Sequence, residues 1–350
     1  MMKVSVVILN WNGCDMLRTF LPSVVRYSEG EGVEVCVADN GSTDTSVSLL
    51  QQEFPSVRTI VLDQNYGFAD GYNWALQQVD AEYVVLLNSD VEVTEHWLEP
   101  MIAYLDKHPE VAACQPKIRS QRQKEYFEYA GAAGGFIDKY GYPFCRGRIM
   151  GVVEKDEGQY DTVIPVFWAT GAALFIRHTD YVNVGGLDGR FFAHMEEIDL
   201  CWRLRSRNRE IVCVPQSIVY HVGGATLKKE NPHKTFLNFR NNLVMLYKNL
   251  PQKELNKVMR IRACLDYVAA FNFLLQGHWD NARAVIRARK EYKQLCSSFS
   301  LSREENMRKK TLNPIPERTK SSILWQFYAR GCRRFSQLSD FKRIANGIKG

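Results

Sequence analysis

The sequence predicts an α/β protein: a mostly parallel mixed sheet flanked by helices, followed by a helical C-terminal extension. Three observations predict it. Over the first 110 residues, short apolar runs alternate with helical stretches, the pattern of a parallel sheet covered on both faces. Each apolar run closes on a polar turn, and such sheets bind ligands beyond the carboxyl ends of their strands. From about Phe236 onward, helical periodicity dominates.

Residues 4–9 (VSVVIL) are a continuous apolar strand, the buried-parallel type. A polar turn, NWNG, leads to a helix over residues 16–27. Residues 33–38 form the second strand, which ends in Asp39-Asn40-Gly41-Ser42-Thr43-Asp44. Ser42, Thr43 or Asp44 caps the next helix, residues 45–53, with Asp44 the preferred cap. A third strand, 59–62, precedes Asn65-Tyr66-Gly67-Phe68 and a helix over 69–79. Residues 83–87 are the fourth strand, halted at Asn88-Ser89-Asp90. Beyond residue 110 the pattern is less regular. It contains a Gly-rich stretch at 130–135, a strand at 172–176, a loop at 185–188 and a helix at 196–206. Strand pieces at 211–214 and 218–220 lead into His221. The segment KTLNPIP breaks the chain before a last basic amphipathic piece. The expected division is 1–110 for the regular alternating half, 111–235 for the less regular half, and 236–350 for a basic, helical extension.

The chain has 350 residues, 45% of them apolar, and nine scattered cysteines without a CxxC pair. The start enters a strand pattern directly, without an export leader. Both features point to reduced thiols in a cytoplasmic protein. No apolar run reaches the length of a membrane-spanning helix. The net charge of +6 hides an asymmetry. Residues 251–350 hold 21 Lys and Arg against 8 Asp and Glu, whereas residues 1–250 hold 24 against 31. An acidic body thus carries a basic tail, a feature of contacts with nucleic acid or an anionic membrane.

Four motifs offer chemistry. The NWNG turn lacks the GxGxxG pattern, which argues against dinucleotide binding. Asp39, at a strand end, can accept hydrogen bonds from a base or ribose. Asn88 and Asp90, two apart on an extended segment, project to one side. Asp90 suits a hard divalent cation of the kind a diphosphate leaving group needs, although a strand-end Asp also caps turns. Residues 185–204 read GGLDGRFFAHMEEIDLCWRL and hold Glu196, Glu197 and Asp199. On a helix Glu196 and Asp199 share a face, and Glu197 lies about 100° from Glu196. One of them can serve as a general base; acids at a helix start also favour the dipole. His221, beside Gly223 and Gly224, is a candidate metal ligand.

Taken in order, NWNG, ADNGSTD, NYGFADGYN, LLNSD, ATGA, GGLDxxFFxHxEEIDLCWRL and VYHVGG resemble the family 2 glycosyltransferases of the GT-A fold, a Rossmann-like architecture. The resemblance covers roughly residues 3–250 and is strongest to the bacterial rhamnosyltransferase-like branch. It implies inverting transfer from a nucleotide-diphosphate sugar (a UDP- or dTDP-sugar such as dTDP-rhamnose) with Mn2+ or Mg2+. It implies that Asp39 contacts the base, that Asn10 and Asn12 line the same pocket, and that Asn65 and Gly67 lie beside the nucleotide. By the same resemblance Asp90 is the metal-binding end of the DxD motif, with Asn88 in place of its first Asp. His221 completes the metal site, Thr170 and Gly171 sit near the sugar, and Glu197 is the base, with Glu196 and Asp199 in reserve.

The implied acceptor is a cell-surface glycan or polyprenyl-linked saccharide at the inner face of the plasma membrane. The tail, with aromatic and aliphatic residues punctuated by Arg over Val258–Ala288 and the stripe Ile323, Leu324, Phe327 and Tyr328 beside Arg330, Arg333 and Arg334, then lies on an anionic leaflet or packs on the body. Nucleic acid is not an expected partner. A second reading, motivated by Asn88, is a non-catalytic subunit that binds carbohydrate or a partner enzyme.

Overall fold

The computed structural model describes residues 1–223 and 231–341. The parallel half of its main sheet comprises β1 (Met2–Asn10), β2 (Val33–Asp39), β3 (Arg58–Val61) and β4 (Ala81–Asn88). Helices α1 (Cys14–Tyr27), α2 (Ser46–Glu53) and α3 (Gly67–Leu76) connect them. The chain continues through β5 (Val91–Val93), α4 (Glu99–Lys107) and β6 (Val111–Ser120). A small second sheet holds β7 (Gly135–Ile137), β8 (Pro143–Cys145), β9 (Arg148–Ile149) and β10 (Val152–Val153). Then follow β11 (Ile164–Pro165), β12 (Ala173–Arg177), α5 (His178–Asn183), α6 (Glu196–Ser206) and β13 (Glu210–His221). The main sheet runs β11-β13-β6-β12-β4-β1-β2-β3, with β5 paired to β13. β1 to β4 are mutually parallel, and β12 enters antiparallel between β4 and β6. One sheet therefore crosses residue 110.

Strand β4 shows why the sheet forms. All five residues from Tyr83 to Leu87 are wholly buried. Their period of two sorts them: Tyr83, Val85 and Leu87 face one core, while Val84 and Leu86 face the other. Leu17 and Leu21 of α1, Leu49 of α2 and Met101 of α4 fill the first core. Tyr72 of α3 and Ile198, Leu200 and Trp202 of α6 belong to the second.

Three elements differ from the sequence expectation. Strand β6 was not expected, because Gln115, Pro116 and Lys117 interrupt its apolar pattern; all three are buried in the fold. The two strand pieces near residue 214 are one strand, β13, with a register shift between Val214 and Ile218. The terminal amphipathic piece is a five-residue π-helical turn, Trp325–Ala329. Ile323 and Phe327 are buried in the main core, while Tyr328 is exposed. Half of the stripe thus serves packing.

The helical extension comprises α7 (Pro232–Asn249), α8 (Gln252–Leu275), α9 (Trp279–Leu295) and α10 (Ser300–Lys309). It is tied to the body by buried charges. Asp199 of α6 accepts from Arg203 at 2.9 Å, from Lys248 of α7 at 2.8 Å and from Asn249 at 2.8 Å. Glu317 likewise pairs with Arg205 at 2.6 Å. Beyond it, Phe335 packs on Phe136 at 5.1 Å between ring centres.

Removing one member of a buried charge cluster leaves the others desolvated without compensation. Asp199→Ala is therefore expected to destabilise the protein by about 3–5 kcal/mol in chemical denaturation. A loss below about 1 kcal/mol, the scale of exposed pairs, would contradict this anchoring role.

Candidate active site

The register of the parallel strands assembles the first half of the site. Asn10 lies opposite Asp39, and Leu9 lies opposite Asn88. The three polar residues therefore end neighbouring strands at one level. Asn10 donates from Nδ2 to Asp39 Oδ1 at 3.0 Å, and Asp39 Oδ2 accepts the Ser42 N–H at 2.9 Å. Each carboxylate oxygen retains acceptor capacity. Asn12 adopts a left-handed backbone, and its Oδ1 accepts the Thr43 N–H at 2.7 Å. Asp44 accepts from the backbone of Ser46 at 2.9 Å and of Cys14 at 3.1 Å, serving the first turns of both α2 and α1. Burial pushes its carboxyl upward, but these bonds hold it below the ordinary range.

The loop before α3 is held by Asn40, which the sequence reading did not single out. Its Oδ1 accepts the Tyr66 N–H at 3.0 Å, and its Nδ2 donates to Gly67 O at 2.9 Å and Asn65 Oδ1 at 3.1 Å. Gly67 has a φ of +75°, and a Cβ there would lie 2.7 Å from the Phe192 ring. Phe192 O in turn accepts the Phe68 N–H at 3.0 Å. Asn65 and Gly67 are thereby coupled to the turn that precedes α6.

A second corner forms where β4 ends. Strand β13 pairs His221 with Val91, immediately after Asp90. His221 Nε2 lies 3.1 Å from Asp90 Oδ1 and 3.4 Å from Asn88 Nδ2. On the far side of the ring, Glu128 Oε2 is 3.6 Å from Nδ1. Burial opposes protonation of His221, but Asp90 and Glu128 outweigh it and lift the imidazole to about 10. Asp90 shifts downward: burial raises its carboxyl, and His221 more than reverses that. Glu128 is a residue that no spacing in the sequence reveals.

The corner suits a hard divalent cation. Adjacent ligands around an octahedral ion at about 2.1 Å lie about 3 Å apart, the separation of Asp90 Oδ1 and His221 Nε2. A cation bound there would take the place of the proton at Nε2, while Nδ1, without a hydrogen-bond partner among the described residues, has the Glu128 carboxylate nearby at 3.6 Å. Among the described residues no set of three or more His, Cys, Asp or Glu side chains is placed to hold an ion. An ion held at this corner would draw its other ligands from outside these two side chains, as Mg2+ commonly does from phosphate and water.

The third group is the acidic start of α6. A Cβ built on Gly171 would lie 3.8 Å from Glu197 Cβ. In the same loop, Ala172 O accepts the Asn88 N–H at 3.0 Å. The Thr170-Gly171-Ala172 loop thus links Glu197 to the Asn88–Asp90 corner. Thr170 is buried and fastened through its N–H to Gln115 Oε1 at 3.0 Å. Both Glu196 Oε2 and Glu197 Oε2 are buried without a hydrogen-bond partner among the described residues. Burial pushes the Glu197 carboxyl up to about 7, and backbone N–H groups at the helix start oppose the shift. Glu196, more deeply buried and beside Glu197, is pushed higher. Asp199 points elsewhere, into the charge cluster with Lys248 and Arg203.

The turn before α6 is strained. Phe192, His194 and Met195 all have φ between +66° and +73°, a region costly for side chains with a Cβ. Asn241 of α7 restrains it, donating from Nδ2 to Phe191 O at 2.9 Å and to Ala193 O and His194 O at 2.8 Å. His194 Nε2 has no hydrogen-bond partner among the described residues. Burial first, then Lys234 and His233, pull its imidazole down to about 4.

This architecture is the GT-A glycosyltransferase fold. A crystal structure of GalNAc-T7 with UDP, GalNAc and Mn2+ matches with a TM-score of 0.61 at 14% identity, covering 93% of this chain and 56% of that one. Within that fold, the Glycosyl transferase family 2 model matches residues 5–168. Two relatives extend the likeness. The O-antigen biosynthesis protein RfbC of Myxococcus xanthus is 26% identical over 65% of this chain and 18% of its own length. The N-acetylglucosaminyl-diphospho-decaprenol L-rhamnosyltransferase of Mycobacterium tuberculosis is 27% identical over 62% of this chain and 75% of its own. The first of these is thus matched over only a small part of its length.

Asn241→Ala leaves three carbonyls of the strained turn without their shared donor. It is expected to cost about 1–3 kcal/mol and to speed amide exchange over residues 192–197. Unchanged exchange in that segment would remove Asn241 from its restraining role.

Proposed function

We propose that the protein is an inverting glycosyltransferase. It moves a sugar from a UDP- or dTDP-sugar, with dTDP-rhamnose favoured, to a hydroxyl of a cell-surface glycan or polyprenyl-linked acceptor. The acceptor places the work at the inner face of the plasma membrane. One observation carries the reading: a single loop, Thr170-Gly171-Ala172, packs against Glu197, whose raised carboxyl has one buried oxygen without a partner, and bonds Asn88, two residues before Asp90. A rhamnosyltransferase and an O-antigen biosynthesis protein among the relatives support the sugar and the acceptor class. UDP and Mn2+ in GalNAc-T7 support the donor and the ion.

In this mechanism Asn10, Asn12, Asp39, Asn65 and Gly67 receive the nucleotide at the carboxyl edge of β1, β2 and β3. Asp90 and His221 would hold Mn2+ or Mg2+, which when bound would supply positive charge to the departing diphosphate. Asn88 remains free to hydrogen-bond ribose or a metal-bound water. Thr170 and Gly171 border the sugar. Glu197 accepts the proton of the acceptor hydroxyl as its oxygen bonds to the anomeric carbon. The old bond to the diphosphate breaks on the opposite face, and its electron pair leaves with the nucleotide. Attack and departure on opposite faces invert the anomeric centre. A carboxyl raised to about 7 has useful basicity near neutral pH. Glu196 stands behind it as the reserve base.

Three outcomes test the reading. Glu197→Gln should lower kcat by about a thousandfold while donor affinity in calorimetry is kept; normal turnover sinks the assignment. Asp90→Asn should remove metal-dependent turnover, whereas Asn88→Asp should be tolerated; the reverse order rejects the corner.

The pH profile supplies the third. The working form of Glu197 is ionised, and its raised carboxyl is protonated below about 7. Transfer should therefore rise with pH through that value. A rate already flat from about pH 5, as an unshifted carboxylate would give, excludes Glu197 as the base.

A further inference from the structure

We propose that the tip of the α8–α9 hairpin is a membrane-docking surface that seats the protein on an anionic phospholipid leaflet. On α8, Tyr267, Val268, Phe271 and Leu275 are 55%, 64%, 60% and 71% exposed. Their spacing places them in one stripe along the helix. Trp279, 62% exposed, carries the stripe across the turn into α9. The opposite side of the hairpin is already satisfied, since Ala270, Ala282 and Val285 pack with Phe239, Phe273 and Leu274. A contiguous apolar patch of this kind marks an interaction surface.

Charge selects the partner. Toward its N-terminal half the exposed side of α8 carries Lys253, Lys257 and Arg260, and the exposed side of α9 carries Arg283, Arg287 and Lys290. Exposed Asp280, the acid at the tip, is paired with Arg283 at 3.4 Å. An apolar tip between basic shanks fits a leaflet whose apolar layer lies beneath anionic headgroups. A protein partner would need acids arranged around an apolar socket; a leaflet supplies that arrangement everywhere. The terminal stripe is poorer, because Ile323 and Phe327 are spent on the core.

The tip is also well placed. Helices α7 and α9 run parallel, with Asn281 bonded to Thr235 at 2.8 Å near their starts and Arg240 paired with Glu291 at 3.0 Å further along. The tip therefore stands at the start of α7. Next to Thr235 is Lys234, whose charge acts on His194 and on Glu128, both at the candidate site. A leaflet under the tip would lie along the edge where a lipid-linked acceptor must arrive. That purpose rests on the proposed function; the docking itself needs neither donor nor acceptor.

The test is co-sedimentation of the full chain with phosphatidylcholine vesicles, with and without about one quarter phosphatidylglycerol. Native protein is expected to bind the anionic vesicles at low salt and much less to the neutral ones. Phe271→Glu with Leu275→Glu should weaken that binding at least tenfold with an unchanged melting temperature, while Trp325→Ala with Tyr328→Ala should leave it intact. Equal binding by the tip variant, or loss only in the terminal variant, overturns the proposal. So does a native dimer that the tip variant splits while vesicles bind neither form; a second copy would then be the occupant. Transfer to a short water-soluble acceptor is measured separately. Its absence in native protein counts against the transferase reading, and vesicle binding still decides this one.

Discussion

The register of β1 against its two neighbours is the constraint on which the site depends. A slip of one residue would turn every side chain of a strand to the other face. Here that slip is opposed from both sides, because alternate residues of β1 and β4 are buried in two different cores. Packing on Val4, Val6 and Ile8 on one face, and on Val7 on the other, therefore decides where Asn10 emerges. Asp39 and Asn88 are fixed beside it by the same pairing. The polar groups at the carboxyl edge hold their places because the apolar residues behind them cannot move.

How much of this was legible in the sequence follows from how local each signal is. Buried parallel strands announce themselves as apolar runs, and β1, β2 and β4 do so. Asp44 shows as a cap because capping is settled within a few residues. Residues whose role is made by distant chain do not show. Lys117 interrupts an apolar pattern, yet it is buried in β6 because Asp156, thirty-nine residues on, meets it at 3.0 Å. Glu128 reaches His221 across a gap of ninety-three positions, and Asn241 reaches the turn before α6 across nearly fifty. The stripe at residues 323–328 has helical spacing, but tertiary packing claims two of its members. Spacing alone cannot tell a core-facing stripe from a membrane-facing one.

Helix α6 shows how one short acidic run can be divided between fold and chemistry. Asp199 is held by a guanidinium, an ammonium and an amide, so its carboxylate is fully partnered. Glu196 and Glu197, in the same first turn, each keep one buried oxygen without a partner, and burial raises both carboxyls. The anchoring residue makes the deficit tolerable, since α6 stays in place without help from its first turn. The extension contributes on both counts: Lys248 closes the cluster at Asp199, and Asn241 restrains the strained entry to the helix. Removing the C-terminal helices would therefore disturb the candidate base and not merely an appendage.

The same accounting explains the asparagine at position 88. The corner at the end of β4 already holds Asp90 and Glu128 around one imidazole. Asn88 Nδ2, 3.4 Å from Nε2, adds a neutral polar group there, so the corner needs no third carboxylate. If a divalent cation occupies the corner, a single inner carboxylate leaves it with net positive charge. That surplus is what a departing diphosphate would meet. The amide keeps a polar group at the strand end while leaving the positive charge for the leaving group, where charge develops during transfer.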